Sequence, residues 1–165
     1  RLMRQVFSAL RHIHEVSGVG LIHRDVKVDN LRFRTKGADS DLVLVDFGLC
    51  CKAVPDEKRG IVGTLLYMAP EIFSACYDTQ VDLWSAGVVL YIVLTGKPPW
   101  VHHPSEGLNP NLAVLKGEAV EEAMDVSEIK AAPPEATDLL RGLLVVNPKQ
   151  RSTAAMALEH PWLVE

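Results

Sequence analysis

A chain of 165 residues with 48% hydrophobic and 23% charged residues has the make-up of an ordinary soluble globular domain, long enough to bury a sizeable core. The formal net charge of −4 gives no electrostatic pull toward nucleic acid or an anionic membrane surface, and no apolar run is long enough to span a bilayer. The three cysteines form no CxxC pair and are odd in number, which indicates neither a zinc site nor a disulfide framework and fits a reducing, cytoplasmic setting.

Leu2, Met3, Val6, Phe7, Leu10 and Ile13 recur at helical spacing, so residues 1 to about 16 are expected to form an amphipathic helix. Arg1 opens the sequence without a leader pattern, and the chain is expected to begin inside a larger one. Ser17 to Gly20 carry turn chemistry. Leu31 and Phe33 then alternate with Arg32 and Arg34, the period of a short half-buried strand. Lys36 to Asp41 read as a polar turn and Leu42 to Val45 as a second strand, giving one small hairpin.

No period survives from Gly48 to Pro70, where Pro55, Gly60 and Gly63 punctuate a long loop of the kind that usually carries function. Val81 to Leu94 is apolar nearly all round and is expected to be the buried axis, stopped by Gly96-Lys97-Pro98-Pro99. Short helices are expected at Leu112 to Lys116 and Val120 to Met124, an amphipathic helix from Ala136 to Val146, and a last one from Thr153 to His160. His12, His14, His102 and His103 read as surface or packing histidines, and Cys50 and Cys51 as small loop or core residues.

The loop His23-Arg24-Asp25-Val26-Lys27-Val28-Asp29-Asn30 sets a carboxylate, an ammonium and a carboxamide within one turn of chain. Those groups suit a phosphate, a hydroxyl and a hard cation that prefers oxygen donors. Phosphoryl transfer passes through a loose transition state, so positioning and electrostatics supply most of its catalysis. Asp46-Phe47-Gly48, Thr64 and Ala69-Pro70-Glu71 follow in order.

Together these segments resemble the catalytic half of a eukaryotic protein kinase of the serine/threonine type. The resemblance implies Asp25 as the residue that steers or accepts the substrate hydroxyl's proton, with Lys27 beside the transferring phosphate. It implies Asn30 and Asp46 as ligands of Mg²⁺, and His23 and Phe47 as packing residues that set Asp46, with Gly48 giving that segment freedom. Thr64 is implied to hydrogen-bond Asp25 and Lys27 on the substrate side, and Asp29 to read a basic substrate side chain. Glu71 is implied to pair with Arg151, Asp82 to anchor the backbone of the Asp25 loop, and Arg24 to meet a negative charge on the long loop. Leu90 to Gly96 with Pro98-Pro99-Trp100, and Ala157 to Trp162, look most like the calcium/calmodulin-dependent group.

Three departures accompany the resemblance. The sequence has no glycine-rich phosphate loop and no Val-Ala-Xaa-Lys strand. Residues 49 to 63 contain no Ser, Thr or Tyr, so Asp56 or Glu57 is expected to supply the charge facing Arg24. Arg32 falls where the family presents an apolar floor to adenine.

The expected fold is therefore mainly α: residues 1–165 as a partial kinase domain, the C-terminal lobe, with one small β-hairpin carrying the catalytic and metal-binding segments and the N-terminal lobe absent. The expected function is ATP- and Mg²⁺-dependent phosphorylation of a protein Ser/Thr hydroxyl, with the chain inactive in isolation. The alternative is a non-catalytic lobe that serves as a protein-binding scaffold. A missing N-terminal lobe or another partner is expected to cover exposed apolar surface; neither nucleic acid nor membrane is expected as a partner.

Overall fold

Helix α1 spans Leu2–Glu15 and buries Met3, Val6, Phe7, Leu10 and Ile13, the stripe that its 3.6-residue spacing puts on one face. The computed structural model describes residues 1–37, 40–100 and 118–164. The helix expected at Leu112 to Lys116, together with His102 and His103, lies outside the described residues, as do positions 38 and 39 of the expected polar turn.

Helix α2, Gln80–Thr95, is the axis of the fold. Val81 through Tyr91 are buried without interruption, which is what a helix apolar on every side requires. Gly96 ends it in the left-handed conformation at φ 75°, its N–H returning to Ile92 O. Gly87 lets a neighbour in: a Cβ there would lie 2.9 Å from Leu144 Cδ2 and 3.0 Å from Leu143 Cβ.

Around this axis stand α3 (Glu118–Met124), α4 (Ser127–Lys130), α5 (Pro134–Leu143), α6 (Ala154–Leu158) and α7 (Pro161–Val164). Helix α5 lies against α2, and α6 lies against α1. The expected helices at 120–124, 136–146 and 153–160 are present with shifted ends. Proline accounts for two of the shifts: Pro134 starts α5, and Pro161 begins a separate turn instead of continuing α6.

The β component corrects the expected fold class. Strands β2 (Leu31–Phe33) and β3 (Leu42–Leu44) form the expected antiparallel hairpin, with Arg32 opposite Val43. A second antiparallel sheet joins β1 (Leu21–Ile22) to β4 (Cys51–Lys52), in the register Leu21 opposite Lys52 and Ile22 opposite Cys51. The described residues thus carry four strands in two sheets instead of one hairpin. Two-residue strands are too short to show a period, and β4 lies within the stretch read as an unbroken loop. The two sheets bracket the Asp25 loop: β1 enters it, β2 leaves it, and β3 leads to Asp46.

Candidate active site

The loop between β1 and β2 is held from below by Asp82, fully buried in the first turn of α2. Its Oδ2 accepts the His23 backbone N–H at 2.8 Å, and its Oδ1 accepts that of Arg24 at 2.9 Å. Arg24 sits at φ 69°, a left-handed conformation that typically costs a non-glycine residue about 1–3 kcal/mol. The two charge-assisted bonds from one buried carboxylate offset that cost and fix where the loop turns.

Above this anchor four side chains converge. Asp25 Oδ2 lies 2.8 Å from Lys27 Nζ, and Asp25 Oδ1 accepts the Thr64 hydroxyl at 2.7 Å. Lys27 Nζ also donates to Thr64 Oγ1 at 2.9 Å, closing a triangle of carboxylate, ammonium and hydroxyl. A 3₁₀ turn over Val28–Asn30 folds Asn30 back, so its amide donates to Asp25 O at 2.9 Å and Oδ2 at 3.1 Å. Burial pushes the Asp25 carboxyl up, but hydrogen bonds from Lys27, Thr64 and Asn30 and the Lys27 charge outweigh it and hold it below its ordinary value. Lys27 moves the other way: the bond to Asp25, with the charges of Asp25, Asp29 and Asp46, raises it despite some desolvation. The pair is thus fully ionised at neutral pH.

Asp46 follows β3 at φ 65°, a second non-glycine residue in left-handed conformation at this site. Its carboxylate is exposed, and one oxygen accepts a 3.3 Å bond from the Gly48 N–H. Val45 N donates to Asn30 O at 2.9 Å, tying the Asp46 segment to the loop. His23 bridges the same gap, with Nε2 at 3.1 Å from Val45 O and its ring edge-on to Phe47 at 4.9 Å. Phe47 is otherwise 47% exposed.

Asp46 and Asn30 suit a hard cation that is shared with a substrate. The Asn30 amide nitrogen is committed to Asp25, which leaves its carboxamide oxygen, along with the Asp46 carboxylate, as a donor on offer. Mg²⁺ is commonly held by one or two such oxygens plus phosphates and water. Among the described residues no cluster of three or more His, Cys, Asp or Glu side chains offers a self-contained metal cage.

Thr64 arrives on this site through Gly63, whose φ of 114° no side chain adopts comfortably and whose missing Cβ leaves room for Arg24 O. Further along, Glu71 and Arg151 form a bidentate pair, Nη1 to Oε1 at 2.6 Å and Nη2 to Oε2 at 3.0 Å. The Arg151 guanidinium also donates to Gln80 O and Val145 O, and it lies 5.1 Å from the Trp84 ring centre. Asp29 is exposed at the rim beside Lys27. Arg32 is exposed on β2, with its guanidinium free to reach solvent.

Two residues make contacts at this site that the sequence does not point to, one of them His14, read there only as a surface or packing histidine. His14 Nε2 lies 2.9 Å from Asp82 Oδ2, a third contact on the anchor. Nothing in the sequence pairs two residues 68 positions apart. Arg59 is the other, buried in the long loop; the signal available was a lone arginine in a stretch without a phosphorylatable residue. The expected meeting of Arg24 with Asp56 or Glu57 is replaced by different bonds. Arg24 donates to Leu49 O and the Tyr77 hydroxyl, and Glu57 pairs with Arg59 at 3.1 Å. Two cavities of about 650 and 660 Å³ lie away from Asp25, one behind the 53–59 loop and one along Leu31–Gly37.

The family model described as the protein kinase domain matches residues 1–163. The chain is 38% identical over 165 residues to calcium-dependent protein kinase 15 of Oryza sativa subsp. japonica, covering 99% of this chain and 29% of that protein. It is 39% identical over 165 residues to CDPK-related kinase 1 of Arabidopsis thaliana, covering 99% and 27%. With calcium-dependent protein kinase 3 of Oryza sativa subsp. japonica it shares 43% over 148 residues, covering 87% and 25%. The chain therefore spans between a quarter and a third of the length of these relatives. The expected likeness to the calcium/calmodulin-dependent group fits these relatives. The expectation of a domain with its N-terminal lobe absent is overturned by the kinase-domain match over residues 1–163, taken with the four strands in two sheets. By sequence match this chain belongs to the protein kinase domain family.

Proposed function

We propose that the Asp25 site transfers the γ-phosphoryl group of ATP to a Ser or Thr hydroxyl of a protein, with Mg²⁺ as cofactor. The observation that carries this reading is the closed triangle of Asp25, Lys27 and Thr64, with Asn30 hydrogen-bonded to Asp25 and the Asp46 charge acting on Lys27. In the reaction the substrate oxygen forms the new bond to phosphorus, the bond to the bridging oxygen breaks as ADP leaves, and the hydroxyl proton passes to Asp25. The lowered carboxyl of Asp25 makes it a weak base, which suits a loose transition state where the proton moves late and alignment matters most. Lys27 places a fixed positive charge where the phosphoryl oxygens gather charge. Asp46 and Asn30 would hold Mg²⁺, which would supply neutralisation of the phosphate charge. Asp29, at the exposed rim, favours a basic side chain near the acceptor.

For the 165 residues on their own we infer turnover below the usual ~1–100 s⁻¹ of protein kinases. The sequence contains neither a glycine-rich phosphate loop nor a Val-Ala-Xaa-Lys lysine to hold the nucleotide phosphates. The test is transfer of labelled phosphate from ATP to peptides that differ only in acceptor, Ser, Thr or Tyr, with and without Mg²⁺. Mg²⁺-dependent labelling of the Ser and Thr peptides supports the reading, and labelling confined to Tyr contradicts it. No labelling by the intact protein would favour a binding scaffold.

A further inference from the structure

The long segment from Leu49 to Gly63 must be held in place for Thr64 to reach Asp25, yet it contains no Ser, Thr or Tyr to carry a phosphate. Arg59 is buried within it. The Arg59 side chain is 5% exposed, although the residue lies in a loop. Its guanidinium donates to Lys52 O at 3.1 Å, Val54 O at 2.6 Å, Glu57 O at 2.9 Å and Tyr77 O at 2.9 Å, and it pairs with the Glu57 carboxylate at 3.1 Å. Its own N–H donates to Ala75 O at 2.8 Å, and the guanidinium lies 5.8 Å from the Tyr77 ring centre.

One cation thus gathers three carbonyls of its own loop and a fourth from the segment just before α2. The contacts continue to the catalytic loop. The Tyr77 hydroxyl donates to Gly60 O at 2.7 Å and receives a 3.5 Å contact from Arg24 Nη1. Arg24 Nε in turn donates to Leu49 O, at the start of the segment. The segment is therefore closed at both ends, and only Gly60 to Gly63 separate Arg59 from Thr64. Guanidinium suits this task because its two terminal nitrogens, which make all of the Arg59 side-chain bonds, are fixed in one plane, whereas a lysine presents its donors from a single nitrogen; the buried Nε has no partner among the described residues.

We propose that Arg59 is a positioning residue for phosphoryl transfer: it sets the 49–63 segment, and through it Thr64, without any covalent modification of that segment. The proposal deepens the kinase reading and rests on it for the effect on turnover, but its effect on the segment is measurable without turnover.

The test is hydrogen exchange of the 52–60 backbone amides and steady-state kinetics on the intact protein, comparing wild type with Arg59→Ala, Arg59→Lys and Tyr77→Phe. Arg59→Ala is expected to speed exchange across 52–60 by at least ~10-fold while α1 and α2 stay protected, and to lower kcat by ~10-fold with the KM for ATP within ~2-fold. Arg59→Lys, which keeps charge and stem, is expected to recover less than half of the lost protection and serves where the alanine variant does not fold. Tyr77→Phe is expected to loosen Gly60 selectively. Unchanged exchange in Arg59→Ala, or full rescue by lysine, overturns the proposal. If the wild type transfers no phosphate, the kinase reading fails while the exchange data still decide the role of Arg59.

Discussion

Asp82 Oδ1 accepts the Arg24 N–H at 2.9 Å, and in doing so a buried residue of the central helix holds a strained residue of the Asp25 loop at φ 69°. Removing the carboxylate leaves two loop N–H groups without their acceptor. Asp82→Ala is expected to destabilise the fold by ~1–3 kcal/mol, the usual penalty for unsatisfied buried groups, and to lower kcat through the displaced Asp25. Urea denaturation followed by far-UV circular dichroism checks the first effect, and an unchanged midpoint would contradict it.

Glu71 and Arg151 stand 80 residues apart in sequence and join the segment after Thr64 to the C-terminal helices. The arginine side chain is 0% exposed and the glutamate 11%, so truncating one partner strands the other's charge. Glu71→Ala is expected to cost about 3–5 kcal/mol. In the double variant with Arg151→Met the loss should be smaller than the sum of the two single losses, as measured by a denaturation cycle.

The Asp25–Lys27 pair predicts two pH edges. Asp25 titrates below its ordinary 3.8 when folded, so its contribution is fully present above that value and is lost as pH falls through the lower folded one. Lys27 titrates above 10.5 when folded, so its contribution is present below 10.5 and lost as pH rises through the raised one. Thr64→Ala removes one of the bonds that lower Asp25 and should move its titration upward, a shift that carboxyl-carbon NMR reads directly. A carboxyl that titrates at the same pH in both proteins would contradict the assigned cause.

Gly63→Ala adds a Cβ against Arg24 O at a φ of 114°. The expected result is displacement of Thr64 from Asp25, with activity lost by more than stability. Comparing Tm with kcat for this variant against Gly60→Ala, where a Cβ meets nothing within 4 Å, separates the two effects. Equal activity losses in the two variants would contradict it.

Much of this was legible in the sequence because the chemistry is local there. Asp25, Lys27 and Asn30 fall within six positions, and the turn that brings Asn30 back onto Asp25 spans Val28–Asn30. The helices α1 and α2 follow from their apolar patterns, one striped and one continuous. Thr64, Glu71 and Asp82 were placed by resemblance, since no local pattern connects Thr64 to an aspartate 39 residues earlier. The β1–β4 sheet was missed because a two-residue strand has no period to read. Arg59 was missed because a charged residue in an aperiodic loop is normally solvated, and its burial depends on four carbonyls that the backbone path alone brings together.

The most direct test of the account replaces Asp25 with Asn in the intact protein and measures Mg²⁺-dependent phosphate transfer from ATP to a Ser/Thr peptide. Asp25→Asn keeps the shape and the Thr64 contact but removes the group that aligns the hydroxyl and accepts its proton, and it is expected to cut kcat by ~10²–10⁴-fold with the fold intact. A variant that transfers phosphate at the wild-type rate would contradict the assignment of this site.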